Sequence, residues 1–560
     1  MPENDDTAGA PPAVAHAEPA TTRELPPDQH RPRETWNTRL GVIMAVMGSA
    51  VGLGNFLRFP GKAAQYEGGA FMIPYFIALL VLGIPLAWAE WSLGRYGGTR
   101  GFNSAPGIFR SIWRNRAAPY FGVLGLLIPI CVYFYYVFVE GWCLAYAWFM
   151  ASGRFEQMGD DPAAYANFFA EFTGSNSNGF LVESGGLNAA VGFLLVCFLL
   201  NFALIYRGLQ KGIEIFCLWA MPLLVLCGLV VLVRVLTLDN IDKGLGFMWN
   251  LRTSPERGLL DSLANGQMWL EATGQIFFSL SVGFGIVLSY SSYLRRNDDV
   301  ALSSLTSVAG NEFCEVGLGG MITVPAAFIF LGATAIGGTF GLGFVTLPQV
   351  FAEMPGGRFV GSLFFFLLFL AAITSSLSML QPAIALLEEG LGLTRKASVA
   401  LLGFITLVGS MFVVYFSQDL MALDTIDFWV GTFCIFVMAT IQTILFGWGL
   451  GIDRGMEEVN RGSAIRIPRF VGFMLRYVCP LYLLAVFVGF IYTIATSESG
   501  NYFTTLMDSR IAQLSVLLIL LVAILFLFLI SQSVARWRAT GQLARLDGEV
   551  HEPRAFEVSR

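Results

Sequence analysis

Apolar residues recur along most of the chain in runs of about twenty, the length that an α-helix needs to cross a bilayer. Shorter polar segments, which contain Gly, Pro, Asn and charged residues, separate these runs. The pattern predicts twelve membrane spans, at residues 39–60, 69–95, 118–150, 187–206, 210–234, 265–294, 300–332, 359–388, 396–416, 426–450, 470–495 and 511–535. An even number of spans leaves both termini on the same side of the membrane.

The connections between spans differ in charge. Basic residues concentrate in the even-numbered connections: Arg95, Arg100, Arg110, Arg114, Arg116, Arg207, Lys211, Arg295, Arg296, Arg395, Lys396, Arg454, Arg461, Arg466 and Arg469. The odd connections, of which residues 151–186 and 235–263 are the longest, contain fewer. The positive-inside rule therefore predicts cytoplasmic termini for a multi-pass protein of the plasma (inner) membrane. The polar residues 1–35 are expected to form a disordered cytoplasmic tail, and residues 538–560 a second cytoplasmic tail.

Two spans are interrupted by glycine pairs at matching places. Span 1 contains "SAVGLGNFLRFP", with Gly52 and Gly54, and span 6 contains "SLSVGFG", with Gly283 and Gly285. Each is the first span of a block of five, and such paired interruptions are typical of transporters with inverted repeats. On span 1 alone, small residues four apart would equally fit a helix-packing face.

Polar residues at similar depth favour the transport interpretation. They lie on spans 1, 6, 7 and 8: Asn55, Ser279, Ser281, Asn311, Thr374 and Ser375. Unwound backbone within a membrane is tolerated where it lines a cavity. Its freed carbonyls, together with hydroxyl and amide oxygens, would form a neutral oxygen site suited to Na⁺.

Composition excludes several other classes. Hydrophobic residues make up 55% of the chain and charged residues 13%, far from the balance of a soluble domain. No basic stripe suggests a nucleic-acid partner. The three histidines, His16, His30 and His551, lie in the tails, which argues against a membrane enzyme with a histidine base or zinc ligand. A channel would be expected to carry a repeated filter sequence or rings of charge.

Several motifs, in order, carry a resemblance to a known family: "AVGLGNFLRFP", "GGAFMIPY", "EWSLGRYGG", "KGIEIFCLWAMP", "SLSVGFG" and "ITSSLSMLQP". They resemble the neurotransmitter:sodium symporter family, especially its bacterial LeuT-type amino-acid transporters. The resemblance implies an all-α polytopic protein of twelve transmembrane helices with the LeuT fold, 5+5 inverted repeats and unwound helices 1 and 6. Repeat 1 would cover residues 36–234, an external loop and repeat 2 residues 235–450, and spans 11 and 12 residues 451–537.

The resemblance also implies two Na⁺ sites at the interrupted spans. The first would consist of the substrate carboxylate and oxygens from Ala50, Asn55, Ser279 and Asn311. The second would consist of the carbonyls of Gly48, Val51 and Ala371 and the hydroxyls of Thr374 and Ser375. Glu315, four residues after Asn311 on the same helix face, would supply the negative charge that chloride provides in animal members.

The substrate and gate residues follow from the same resemblance. The substrate carboxylate would bind Tyr136 and the backbone amides of Leu53 and Gly54, and the amino group would bind Ala50, Phe278 and Ser281. The side-chain pocket would be lined by Val132, Phe278, Phe284, Ser375 and Met379, with Ser49 in place of the Asn of related proteins. The outer gate would comprise Arg58, Asp427 and Phe284, and the inner gate Arg33, Trp36, Ser292, Tyr293 and Glu389.

These implications predict a Na⁺-coupled, chloride-independent symporter of neutral, hydrophobic amino acids. Monoamine carriers of the family have Asp where this chain has Gly52, which favours a substrate that brings its own carboxylate. Glu90 and Glu140 are expected to pair with unwound backbone near the site. The alternatives left open are the same fold carrying a different small zwitterion, and a non-transporting amino-acid sensor. The expected partners are the amino-acid substrate and the lipid bilayer, and a homodimer is compatible with the resemblance.

Overall fold

The structure is a computed structural model that describes residues 34–180, 188–251, 258–332, 338–496 and 502–548. Regular secondary structure in these ranges is helical. From Thr35 onward the described residues form one compact unit. Arg33, most of the predicted N-terminal tail and the end of the C-terminal tail lie outside the described residues.

Ten continuous helices are long and apolar enough to cross a membrane, and one bent pair raises the number to eleven in the part of the chain that the structure describes. The continuous helices are Gly68–Gly98, Ala118–Ala151, Ala189–Tyr206, Leu209–Leu236, Val300–Leu331, Gly357–Glu389, Arg395–Tyr415, Gln418–Asn460, Arg469–Gly489 and Arg510–Ala539. The bent pair is span 1. Predicted span 6 does not pass the same test, because it consists of two shorter helices, Gly266–Ser279 and Ile286–Ser291.

Span 1 is broken at the predicted place. Its first helix, Arg39–Ala50, ends where Val51 adopts an extended conformation with ψ 104°. The second segment, Gly54–Gln65, continues at an angle of 49° to the first. The residues between the two segments leave backbone carbonyls and amides outside the helical hydrogen-bond ladder, where other groups can bind them.

Span 6 is broken by backbone conformations that favour glycine. Gly283 has φ 81° and Gly285 has φ 84°, both in the left-handed region. Ser281 also has a positive φ, of 53°, a conformation that costs a non-glycine residue about 1–3 kcal/mol. The glycine pair of span 6 therefore marks a break in the helix.

The long odd connections contain helices that the sequence analysis did not predict. Residues 151–186 include Pro162–Thr173, which begins with Asp161 as a cap that accepts a hydrogen bond from the amide of Ala163. Residues 235–263 include Ile241–Trp249 and Leu259–Leu263.

Burial separates an inner pair of spans from an outer group. The most apolar windows of Ala118–Ala151 and Gly357–Glu389 are each 89% buried, whereas those of Ala189–Tyr206, Arg469–Gly489 and Arg510–Ala539 are 33% buried. Spans 3 and 8 therefore form the centre of the bundle, and the breaks of spans 1 and 6 lie against them.

Candidate functional site

The predicted first Na⁺ site is a compact cluster of amides and a hydroxyl. Asn55 Nδ2 lies 2.9 Å from Asn311 Oδ1, and Asn311 Nδ2 lies 2.7 Å from Ser279 Oγ. Asn55 Oδ1 accepts a hydrogen bond of 2.8 Å from the amide of Gly52, so the side chain binds the unwound backbone at the break. Ala50 is the last residue of its helix, where carbonyls lose their helical partners. These residues offer neutral oxygens of the kind that bind Na⁺.

Glu315 is fully buried at the edge of this cluster. Gln275 Nε2 donates to its Oε1 at 2.7 Å, and Ser279 donates to its Oε2. Asn55 and Asn311 lie 3.4 and 3.3 Å from the same Oε2. The predicted common face of Asn311 and Glu315 is confirmed, and the carboxylate adjoins three of the residues predicted for the first Na⁺ site.

The predicted second Na⁺ site converges on one hydroxyl. Ser375 Oγ lies 3.3 Å from the carbonyl oxygens of Gly48 and Val51 and 3.0 Å from that of Ala371. Thr374 Oγ1 lies 3.1 Å from the Ala371 oxygen. Carbonyls from the end of the first half of span 1 thus meet the Ser375 hydroxyl in the middle of span 8, beside Thr374.

Tyr136 approaches the break of span 1 from span 3. Its Oη accepts a hydrogen bond of 3.3 Å from the amide of Leu53. A Cβ atom on Gly52 would lie 2.8 Å from this Oη, which would have to shift, and 3.1 Å from Ser375 Oγ, which is a tight contact. Gly52 is therefore favoured by the close approach of Tyr136, whose hydroxyl lies beside the unwound backbone.

The predicted pocket residues come together around the two breaks. The rings of Phe278 and Phe284 meet edge to face with centroids 5.9 Å apart, and Ser281 Oγ donates to the carbonyl of Ser49 at 2.9 Å. Val132 and Met379 are buried as well. Sequence reasoning missed Ser378, whose Oγ lies 2.8 Å from Ser49 Oγ. Its spacing of three residues from Ser375, on the same helix face, is the signal that could have identified it.

The structure does not pair the predicted outer-gate charges, since no ion pair links Arg58 and Asp427 among the described residues. The Arg58 guanidinium carbon lies 4.9 Å from the centre of the Phe278 ring. Asp427 Oδ1 accepts a hydrogen bond of 2.5 Å from Tyr135 Oη. Arg58 and Phe278 also line a small cavity, together with other residues of spans 6 and 10.

The described inner-gate residues make separate contacts. Trp36 Nε1 donates to the carbonyl of Tyr290 at 2.9 Å, and Tyr293 Oη accepts from Gln381 at 2.9 Å. The remaining two contact the connection between spans 2 and 3. Ser292 Oγ lies 3.1 Å from the Oδ1 of Asn103, and the carboxylate of Glu389 accepts from the Ser104 amide at 3.1 Å.

The two other buried acids have different roles. Glu90 Oε1 accepts a hydrogen bond of 2.8 Å from the amide of Gly283, as the expected pairing with unwound backbone requires. For Glu140 that expectation is wrong. Its Oε2 accepts from Ser376 Oγ at 2.7 Å and from Asn201 Nδ2 at 3.0 Å, because it faces spans 4 and 8 rather than a break.

The chain is similar to known membrane transporters in sequence and in fold. The model of the sodium:neurotransmitter symporter family matches residues 33–156 and 152–534. An uncharacterized sodium-dependent transporter of Methanocaldococcus jannaschii is 30% identical over 491 residues, which cover 84% of this chain and 93% of the relative. The sodium-dependent serotonin transporter of Drosophila melanogaster is 28% identical over 82% of this chain and 76% of its own.

A bovine sodium-dependent neutral amino acid transporter, B(0)AT2, is 24% identical over 84% of this chain and 74% of its own. The solved structure of MhsT in complex with L-phenylalanine superposes with a TM-score of 0.69 at 26% identity, covering 81% of this chain and 99% of MhsT. This match identifies the fold as the LeuT fold. The chain belongs to the sodium:neurotransmitter symporter family, a family of sodium-dependent membrane transporters rather than enzymes.

Proposed function

We propose that the protein is a symporter that couples the entry of neutral, hydrophobic α-amino acids to two Na⁺ ions by alternating access. It would act in the plasma (inner) membrane with both termini in the cytoplasm, and its two repeats would move against each other. Two Na⁺ ions crossing a potential of 100 mV release about 4.6 kcal/mol. At about 1.4 kcal/mol per factor of ten, this supports roughly thousandfold accumulation of the substrate.

The observation that carries the proposal is the convergence of uncharged oxygens on the break of span 1. One group lies around Asn55, Ser279 and Asn311, and the other around Ser375 and its carbonyl neighbours. In the proposed mechanism each group binds one Na⁺. Because both include atoms from the break, Na⁺ binding would hold the two halves of span 1 against spans 7 and 8.

The substrate class is inferred from Gly52 and its neighbours. The Leu53 amide and Tyr136 Oη are suited to a carboxylate, and the absence of a side chain at Gly52 leaves the Tyr136 hydroxyl unobstructed on that side. A substrate carboxylate would then complete the first Na⁺ site. The apolar surroundings of Val132, Phe284 and Met379 favour an aliphatic or medium-sized hydrophobic side chain.

Chloride independence is inferred from Glu315. Two Na⁺ ions and a zwitterion bring net positive charge into a buried site, and an anion must offset it. The carboxylate of Glu315 adjoins the first Na⁺ group through hydrogen bonds from Ser279, Asn55 and Asn311. We infer that it replaces chloride, and that it carries a proton back in the return step.

Uptake into proteoliposomes tests the proposal. L-Leucine and L-phenylalanine should accumulate when an inward Na⁺ gradient is imposed, and accumulation should fall to the level of empty liposomes when choline replaces Na⁺. Uptake that is unchanged when choline replaces Na⁺ would overturn Na⁺ coupling. Na⁺-dependent binding without accumulation would instead identify a sensor, and preference for an acidic, basic or non-amino-acid zwitterion would overturn the substrate class.

A further inference from the structure

Arg476 lies inside span 11 and has no acceptor for its side-chain hydrogens. It is seven residues beyond Arg469, the first residue of the span, which places it about 10 Å further along the helix. Within the residues that the structure describes, none of its five N–H groups donates a hydrogen bond and no acidic side chain pairs with it, although its Nε is buried. A charged group that is partly removed from water needs a partner, so the acceptor must come from outside the chain.

Other arginines at the ends of spans find their acceptors within the protein. Arg234 Nε lies 3.2 Å from the carbonyl oxygen of Pro355, and Arg358 Nε lies 2.8 Å from that of Ala151. Each of these guanidinium groups therefore binds a backbone oxygen of a neighbouring segment. Arg476 differs from them, because the surface around it offers rings rather than oxygens.

Three exposed aromatic side chains surround Arg476. Its guanidinium carbon lies 5.4 Å from the centre of the Tyr477 ring, and this ring lies 5.4 Å from that of Phe473. Trp448 Nε1 donates to the backbone carbonyl of Arg476 at 3.1 Å. Trp448, Phe473, Arg476 and Tyr477 are called the Arg476 patch below. Because exposed aromatic side chains at the end of a span favour the level of the lipid headgroups, the patch is suited to the membrane interface.

The patch lies at a seam between spans 10 and 11 that carries positive charge. The two helices touch there, since a Cβ atom on Gly447 would lie 3.3 Å from the Cα of Arg476. Residues 462–478 contain Arg466, Arg469 and Arg476 and no acidic residue. Only 33% of the most apolar window of span 11 is buried, so lipid can reach this seam. The excess of positive charge favours a ligand with a net negative charge.

We propose that the Arg476 patch binds the headgroup of an acidic phospholipid of the phosphatidylglycerol class, in the leaflet that adjoins the even-numbered connections. The phosphodiester oxygens supply the acceptors that the chain lacks, because a guanidinium group can bind two oxygens of one phosphate. The three aromatic side chains pack against the glycerol backbone and the upper acyl chains. This inference requires only that the chain spans a membrane, and it does not depend on the substrate or on Na⁺ coupling.

Lipid-dependent thermal stability tests the proposal on purified full-length protein in dodecyl maltoside. The measured quantity is the concentration of phosphatidylglycerol that gives half of the maximal rise in the unfolding midpoint. It should increase roughly tenfold in Arg476→Gln, as expected for loss of charge-assisted hydrogen bonds, whereas the response to phosphatidylcholine should be unchanged. Arg476→Lys should lie between the two, because it keeps the charge but cannot bind two oxygens in the same way.

Three results would overturn the proposal. A glutamine variant that responds to phosphatidylglycerol as the wild type does would mean that water solvates Arg476. A lysine variant no better than the glutamine variant would exclude a role for the charge. Equal stabilisation of the wild type by free glycerol phosphate at the same concentration would mean that the ligand is a soluble phosphate ester rather than a lipid.

Arg154→Gln is the matched control. Arg154 is an exposed arginine whose guanidinium carbon also lies near an aromatic ring, 5.9 Å from the centre of Phe168, but in the connection after span 3 on the other side of the membrane. Its variant should respond to both lipids as the wild type does. The same tenfold loss in this variant would show a general effect of charge and would overturn the site.

The fluorescence of Trp448 locates the lipid. Its emission is obtained as the difference between the wild type and Trp448→Phe in liposomes. Phosphatidylglycerol with brominated acyl chains should quench this emission more strongly than brominated phosphatidylcholine at the same mole fraction, and Arg476→Gln should abolish the difference. Equal quenching of the wild type by the two lipids would contradict the proposal. Neither measurement uses amino-acid uptake, so the proposed transport function can fail without affecting the outcome.

Discussion

Gly52 is the residue at which the smallest change should have the largest effect on substrate recognition. In Gly52→Ala the new Cβ would press on Tyr136 Oη, 2.8 Å away, and on Ser375 Oγ. We expect at least a tenfold loss of apparent affinity for L-leucine or L-phenylalanine in Na⁺-driven uptake. Gly192→Ala is the matched control, because a Cβ there meets no atom within 4 Å. Equal uptake by the two variants would contradict the role of Gly52.

The same residue predicts which ligands compete. Because the proposed carboxylate site uses the Leu53 amide and the Tyr136 hydroxyl, an α-amino acid should inhibit uptake and its decarboxylated amine should not. The measurement is competition against radiolabelled substrate by paired compounds, such as L-phenylalanine and phenethylamine. Equal inhibition by both members of a pair would show that the carboxylate is not recognised.

Glu315 carries the prediction about chloride. Wild-type uptake should be unchanged when gluconate replaces chloride, whereas Glu315→Ser should require chloride because the variant lacks the compensating charge. Glu312→Gln is the control on the same helix: Glu312 accepts a hydrogen bond from Tyr75 at 2.7 Å, and its variant should remain chloride-independent. A serine variant that is active and indifferent to chloride would exclude this role for Glu315.

At the scale of single residues, the sequence predicted which residues lie in one cluster more accurately than it predicted which two residues pair. Asn55, Ser279, Asn311 and Glu315 cluster as expected, because each residue type and spacing occurs in recognisable family motifs. The partner of Asp427 was not predictable, because a gate pair such as Arg58 and Asp427 depends on the positions of two spans rather than on local sequence.

Among the elements, the break of span 6 depends on a carboxylate from span 2. Glu90 is fully buried and accepts a hydrogen bond from the buried amide of Gly283, which the interrupted helix leaves without a helical partner. Glu90→Ala should therefore destabilise the protein by about 1–3 kcal/mol, the cost of an unsatisfied buried donor. Glu90→Gln keeps an acceptor oxygen and should cost less. Thermal unfolding of the protein in detergent, with size-exclusion chromatography as the readout, measures the difference in stability. Equal unfolding midpoints for the two variants would contradict this role of Glu90.

The positions of helices were predictable in the long apolar spans and less predictable in the polar connections between them. The break of span 6 follows from Gly283 and Gly285, which adopt positive φ, and the break of span 1 lies at its own glycine pair, Gly52 and Gly54. The helix Pro162–Thr173 was missed, because its polar connection lacks the long apolar signal of a span even though Asp161 and Pro162 form an ordinary helix start.

For the whole molecule, the distribution of basic residues predicts the orientation in the membrane. A green fluorescent protein fused after Arg560 should fluoresce, because it would fold in the cytoplasm. Alkaline phosphatase fused within residues 151–186 should be active, because that connection is expected outside. The opposite pattern would reverse the orientation and with it the assignment of the outer and inner gates.

The near-complete enclosure of spans 3 and 8 has a consequence for how the protein tolerates genetic variation. Ala118–Ala151 and Gly357–Glu389 contact neighbouring helices on nearly all sides, whereas two thirds of the corresponding windows of Ala189–Tyr206 and Arg510–Ala539 are not buried. Conservative apolar replacements should thus accumulate freely in spans 4 and 12. Adaptation to a new substrate would be confined to a small number of positions in spans 3 and 8 that tolerate a change of volume, with Val132 and Met379 the first candidates.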